Sequence, residues 1–139
     1  MNAALVLSQD SRVTAGILLL SIVAIEFGGT YLLRVVGGRV PLTDFQKSFA
    51  RAGHAHAGVL VTLGLVCQIL IDSTDLTGPT GVLARSGVPA AAILMSAGFF
   101  LSSMGRDVTK PNRLVVLIWA GVASLALGVI ALGIGLLTA

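Results

Sequence analysis

Four apolar stretches of nearly membrane-spanning length dominate the pattern of hydrophobic and polar positions. They cover about residues 13–36, 54–71, 88–104 and 114–137. Each is close to the ~20 residues that an α-helix needs to cross the hydrocarbon core of a bilayer. A chain of 139 residues cannot close a lipid-exposed barrel from such continuous apolar runs, so the spans must be helices. The pattern predicts an all-α fold, a single-domain integral membrane four-helix bundle within the lipid bilayer.

The composition excludes a soluble protein with an ordinary water-facing surface. Apolar residues make up 55% of the chain and charged residues only 11%, whereas soluble domains carry about 25% charged residues. The net charge of +3 comes from residues that flank the apolar runs, so no nucleic-acid partner is expected. The single cysteine, Cys67, falls inside an apolar run and is interpreted as a buried structural thiol.

The distribution of basic residues predicts an orientation. Four crossings place loops one and three on one side, and these loops hold seven of the nine basic residues: Arg34, Arg39, Lys47, Arg51, Arg106, Lys110 and Arg113. The other side holds only Arg12 and Arg85. By the positive-inside rule, loops one and three lie in the cytoplasm and both termini lie outside a multi-pass cell membrane.

The connections contain recognisable local signals. Residues 43–46, Thr-Asp-Phe-Gln, form a capping-box pattern. Phe45 and Phe49 share one face, which predicts a short interfacial helix leading into the second span. Residues 72–87 are predicted to form an external turn that Pro79 breaks.

Small residues recur at four-residue spacing along the fourth span, at Ala120, Ser124 and Gly128 and again at Ala131 and Gly135. Such rows allow helix backbones to approach closely in lipid. They indicate either packing inside one bundle or an interface between subunits of a homo-oligomer.

Three ionisable residues lie at membrane depth, where each requires an explanation. Glu26, the only glutamate, is near the middle of the first span, and His54 and His56, the only histidines, open the second. Glu26 either stays protonated and bonds a neighbour such as Thr30, or carries protons, binds a cation or orients a histidine. The histidines either cap the helix and reach the interface, hold a metal, or transfer protons.

The spacing of His54 and His56 limits how they can bind a metal. Residues two apart on a helix point about 200° apart, so both cannot ligate one ion. One imidazole is nevertheless sufficient as an axial ligand to haem iron. The surrounding small residues would let a flat macrocycle lie close to the helix: Gly53, Ala55, Ala57 and Gly58.

Several short motifs in the first 65 residues carry a resemblance. They are Phe27-Gly28, then Val36-Gly37-Gly38, then Phe49-Ala50-Arg51-Ala52 just before the histidines, with a weaker echo at Gly98-Phe99-Phe100. This order resembles the small four-helix membrane isomerases, namely styrene oxide isomerase and, more distantly, hydroxylaminobenzene mutase.

The resemblance implies a trimer with haem b held between neighbouring chains by one histidine. In that family the ferric iron acts as a Lewis acid on an epoxide oxygen, and the ring opens and rearranges to an aldehyde. The expected function is therefore a haem b-dependent isomerase for a small apolar substrate. A haem-binding membrane protein without isomerase activity is the nearest alternative.

The resemblance also assigns candidate site residues. Alignment on Ala50-Arg51-Ala52 makes His54 the ligand, whereas alignment downstream favours His56, followed by Gly58 and by Thr62 six residues on. Arg51 and Gly58 are further candidate cofactor-binding residues. Where the family has Asn, this sequence has Thr62, or Leu60 in the register of His54, and Phe100 stands where the family has Tyr. Together with Glu26, which has no counterpart in the family, they are the candidate catalytic residues.

A second class competes with this interpretation. The string Glu26-Phe27-Gly28-Gly29-Thr30, followed by Arg34, is similar to the first span of small multidrug resistance transporters. In those four-helix proteins the intramembrane glutamate exchanges protons for cationic drugs. A structural or assembly subunit is the third possibility.

Overall fold

The computed structural model describes residues 6–139, and this part of the chain is helical with short connections. All four long helices are long and apolar enough to cross a membrane, which confirms an all-α fold with four candidate spans. The helices, with a 3₁₀ turn at Arg113–Val115 before the last, are α1 (Gln9–Val36), α2 (Asp44–Ile71), α3 (Gly78–Ser102) and α4 (Val116–Thr138).

Helix α2 begins earlier than its apolar run. The capping box is confirmed: the Gln46 amide donates to Thr43 Oγ1 and the Thr43 amide donates to Gln46 Oε1, both at 3.2 Å. The prediction of a separate interfacial helix is wrong, because α2 continues without a break from Asp44 into the membrane span. The helix continues through Gly53, whose bare backbone packs against the ring of Phe100.

Helix α3 also begins earlier, so the loop before it is shorter than predicted. Gly78 adopts a positive φ of 61° and Pro79 lies in the first turn of the helix. A helix leaves its first N–H groups unpaired, so proline is well accommodated there. Pro79 therefore starts α3, and the prediction that it breaks an external turn is wrong.

Hydrogen bonds tie the connections together at each end of the bundle. Gln46 Nε2 donates to the carbonyls of Ser103 at 3.0 Å and Gly105 at 2.9 Å, joining the first turn of α2 to the connection after α3. We call this end, which carries seven of the nine basic residues, the basic end. At the opposite end the Ser8 amide donates to Asp72 Oδ2 at 2.8 Å and joins the start of α1 to the α2–α3 turn.

Asp72 is the centre of this opposite end. Its Oδ1 accepts from the Ser8 hydroxyl at 2.9 Å and pairs with Arg85 at 3.4 Å, and Arg85 also donates to Ser11. Partial burial acts to raise the pKa of Asp72, but hydrogen bonds from Ser8, Ser11 and Arg85 outweigh it. The net result is a pKa below the ordinary value of this carboxyl.

Helices α3 and α4 approach each other at backbone distance. A Cβ atom on Gly87 would lie 2.6 Å from the Cα of Gly128, and Ser124 Oγ donates to the Gly87 carbonyl at 2.8 Å. Gly135 lies similarly close to Leu76. These members of the small-residue row on α4 therefore pack inside the chain.

The remaining core connects the other helices. Leu18 of α1 packs with residues of α2 and α3 in one buried cluster, and Cys67 is buried in a second cluster with Val88 and Leu132. Helix α1 packs mainly on α2. A space therefore remains between α1 and α3, with α2 as its floor.

Candidate functional site

The space between α1 and α3 is an apolar cavity of about 410 Å³. Its walls come from three helices, and His54 is the only ionisable side chain among them. The lining residues are Thr14, Ile17, Leu18, Ser21, Ala24, Ile25, Gly28, His54, Ala57, Val61, Pro89, Ala92, Ile93, Ser96 and Phe100. The cavity is in the size range of small-molecule sites, and its few polar groups are of the kind that orient a ligand.

His54 reaches this cavity because α1 has glycines opposite it. A Cβ atom would lie 3.8 Å from the imidazole Nδ1 at Gly28 and 3.4 Å from its Cε1 at Gly29. Methyl groups would just touch the ring at these positions, and larger side chains would displace it. No hydrogen bond to the His54 ring is found within residues 6–139. Both ring nitrogens face α1, with Nδ1 3.8 Å from the Cβ position of Gly28 and Nε2 3.5 Å from that of Gly29.

His56 lies on another side of α2. Its Nδ1 is 2.7 Å from the Ala52 carbonyl. Since a carbonyl only accepts, Nδ1 is the donor in this contact. The ring packs against Phe99, with centroids 4.9 Å apart, and His56 is not part of the cavity wall. The two histidines therefore have different surroundings and do not converge.

Phe100 separates the apolar cavity from a second space at the basic end. This second cavity, of about 270 Å³, has a more polar lining that includes Tyr31, Gln46 and Ser103, and Phe100 belongs to both walls. Gly53 fixes the position of the ring, because a Cβ there would lie 3.0 Å from Phe100 Cε2. Of the residues predicted from sequence, His54 and Phe100 are the two that the structure brings into one cavity.

The other predicted site residues lie outside this cavity. Glu26 is exposed, and Thr30 donates to the Phe27 carbonyl at 2.7 Å, so this hydroxyl is engaged with the backbone. Thr62 is exposed and donates to the Gly58 carbonyl at 2.9 Å. Arg51 is exposed as well, on the turn of α2 that precedes His54.

The sequence analysis did not identify the pair Pro89 and Gln68, which supports the cavity wall on α3. Pro89 lies inside α3 and lacks the N–H that would bond the carbonyl of Arg85. The fully buried Gln68 supplies the missing donor, because its Nε2 lies 2.8 Å from that carbonyl. An amide in one apolar run and a proline in another were the available signals, but their pairing depends on how α2 and α3 pack.

Ser96 is the other residue that the sequence did not single out. It lines the cavity from α3, and its buried Oγ has no hydrogen-bond partner within residues 6–139. The hydroxyl of Ser21, across the same cavity on α1, donates to the Leu18 carbonyl at 2.7 Å. Ser96 thus contributes a free hydrogen-bonding group to an otherwise apolar wall.

Clusters of metal-binding side chains are absent from the described part of the chain: no three His, Cys, Asp or Glu residues come together there. No protein-family model, curated protein or solved structure matches this sequence or fold.

Proposed function

We propose that this chain binds a small apolar molecule in the cavity beside His54 and rearranges it, as a haem b-dependent isomerase of the epoxide-to-carbonyl type. The observation that carries the proposal is the cavity itself, an apolar space between α1 and α3 that is open at the side and whose only ionisable group is the imidazole of His54. Such a lining favours a neutral ligand that enters from the lipid.

His54 supplies the nitrogen donor that an iron porphyrin needs, and its Nε2 faces α1, 3.5 Å from the Cβ position of Gly29. The imidazole has no competing hydrogen bond among the described residues, which suits an axial ligand. Nothing lies within 4 Å of a Cβ built on Gly58, so the helix surface one turn beyond His54 is open. Arg51, exposed one turn before it, is placed to pair with propionate carboxylates.

When bound, ferric haem would supply a Lewis acid for the oxygen of an epoxide. The chain's own contribution is to hold and shield the substrate. Apolar residues such as Ile25 and Val61 bury its hydrocarbon part and exclude water, which would otherwise add to an opened ring. Phe100 closes the cavity towards the basic end and limits the length of the substrate.

His54 is the favoured ligand because it lines the cavity, and His56 is the alternative. The Nδ1–H of His56 donates to the Ala52 carbonyl, and a metal would therefore bind at Nε2. Its ring, however, lies against Phe99 and outside the cavity wall. The assignment of His54 as ligand and that of His56 can therefore be tested separately.

The proposal includes a homotrimer in the cytoplasmic membrane, with the basic end in the cytoplasm. The positive-inside rule supports the orientation, since both basic loops meet at one end. Glu26 supports self-association, because an exposed carboxyl in an apolar helix is costly unless another chain covers it.

The visible spectrum of protein purified in detergent from haem-replete cells tests the cofactor. We expect a Soret band that is lost in His54→Ala and retained in His56→Ala, the matched control two residues away. Loss in His56→Ala alone would exchange the roles of the histidines. Folded wild-type protein without a Soret band would overturn the haem proposal.

Incubation with an aryl epoxide then tests the reaction. Formation of the isomeric aldehyde without added reductant is the expected result. A haem-loaded trimer that leaves the epoxide unchanged would favour the haem protein without isomerase activity. Glu26 lines neither the apolar cavity nor the second cavity, so their linings do not favour the transporter interpretation.

A further inference from the structure

The hydroxyl of Ser96 differs from the other cavity hydroxyl whose hydrogen bond is defined. Serine and threonine side chains inside helices usually donate to a carbonyl three or four residues earlier. Ser21 on α1 does this within the cavity wall, and Ser103, the residue that follows α3, does it outside. Ser96 has no such bond, although its Oγ is buried.

A buried polar atom without a partner is uncommon and calls for an explanation. Gln68 Oε1 is the other such atom in the described chain, but Gln68 lines none of the cavities found there. Ser96 is part of the wall of the apolar cavity. Its Oγ is covered in the observed rotamer, so the hydroxyl would meet a molecule in this cavity by turning about the Cα–Cβ bond to another staggered rotamer.

We infer that Ser96 donates a hydrogen bond to an oxygen atom of the bound molecule and thereby selects a neutral, apolar ligand with one acceptor oxygen. This inference rests on the proposed function, because it concerns the ligand of the same cavity. The surrounding wall specifies the rest of the ligand: Ile93 and Ala92 on the same helix are apolar, and no acidic or basic residue other than His54 faces the space.

A buried hydroxyl donor lets the cavity discriminate between ligands with and without an acceptor oxygen. A site that offers a buried donor rejects a ligand that lacks the matching acceptor, because filling the cavity then leaves the hydroxyl unpaired. A hydrocarbon of the same shape gains the same apolar contacts but not this bond. Ser96 therefore acts on specificity, and it binds substrate without being the group that reacts.

The test compares two ligands of nearly equal shape, acetophenone and α-methylstyrene, in which a carbonyl oxygen replaces a methylene group. Binding to the purified wild-type protein in detergent is measured by equilibrium dialysis. We expect acetophenone to bind about five-fold more tightly, as one net hydrogen bond provides. Ser96→Ala should abolish this preference by weakening acetophenone alone.

Ser21→Ala is the matched control, since it removes a hydroxyl of the same cavity that is already bonded to the Leu18 carbonyl. It should leave the preference unchanged. Equal binding of the two ligands to the wild type, or an equal loss of both in Ser96→Ala, would overturn the role of Ser96 while the cavity remained a ligand site. Failure of both ligands to bind the wild type would overturn the proposed function as well.

Discussion

The imidazole of His54 lies against the backbone of Gly29, 3.4 Å from the position that a Cβ atom would take there. This distance is an ordinary van der Waals contact, so a methyl group fits and a longer side chain does not. The imidazole can occupy this position only because Gly29, on the neighbouring helix, has no bulky side chain.

Substitution of Gly29 should therefore have a graded effect. Gly29→Ala should keep the Soret band, whereas Gly29→Leu should displace the imidazole and weaken or abolish the band. Gly16→Leu is the control on the same helix, because nothing lies within 4 Å of its Cβ position. The measurement is haem content per folded chain, and an unchanged spectrum in Gly29→Leu would contradict the assignment of His54 as ligand.

Gln68 should stabilise the bundle through the Arg85 carbonyl. Gln68→Leu leaves that carbonyl unpaired and should lower the free energy of unfolding by about 1–2 kcal/mol, measured by denaturant titration in micelles. In a Pro89→Ala background residue 89 regains its N–H, so Gln68→Leu should cost less. Equal costs in the two backgrounds would show that Gln68 acts by packing alone.

The contact between α3 and α4 should tolerate no side chain. Gly87→Ala places a methyl group 2.6 Å from the Gly128 backbone, which cannot move as a side-chain end can. We expect a loss of about 1–3 kcal/mol in unfolding free energy. Gly133→Ala, with open space around it, should be neutral or stabilising by up to about 1 kcal/mol. Similar effects of the two substitutions would contradict the backbone contact.

Asp72 should make the stability of the opposite end depend on acid. Its pKa is lowered in the folded protein, so its contribution is fully present above the unfolded value near 3.8 and is lost as pH falls through the folded value. Unfolding measured between pH 5 and pH 2.5 should show this loss in the wild type. Asp72→Asn should be less stable at pH 5 and should lose less on acidification. A parallel loss in both proteins would assign the acid sensitivity elsewhere.

The four helices could be predicted from the sequence because apolar run length is a local property. Their starts could not, since hydropathy does not report where a helix begins outside the membrane. The capping box at Thr43 and the proline at position 79 marked the true starts of α2 and α3. Both signals are visible in the sequence, but the first predicts a separate interfacial helix and the second a break in an external turn.

The candidate site was predictable only in part. The divergence of His54 and His56 follows from helix geometry, and the structure gives them different neighbours. The exposure of Glu26 and the roles of Gln68 and Ser96 depend on which helix faces which. That information lies in contacts between residues far apart in the chain.

The bond between Gln68 and the Arg85 carbonyl also constrains how this sequence can change over generations. If Gln68 is replaced while Pro89 remains, the carbonyl of Arg85 has no donor and is left unpaired in the core. Loss of Pro89 first restores the helical bond, after which Gln68 is free to vary. The order of the two substitutions therefore matters, and among related chains position 89 should have diverged before position 68.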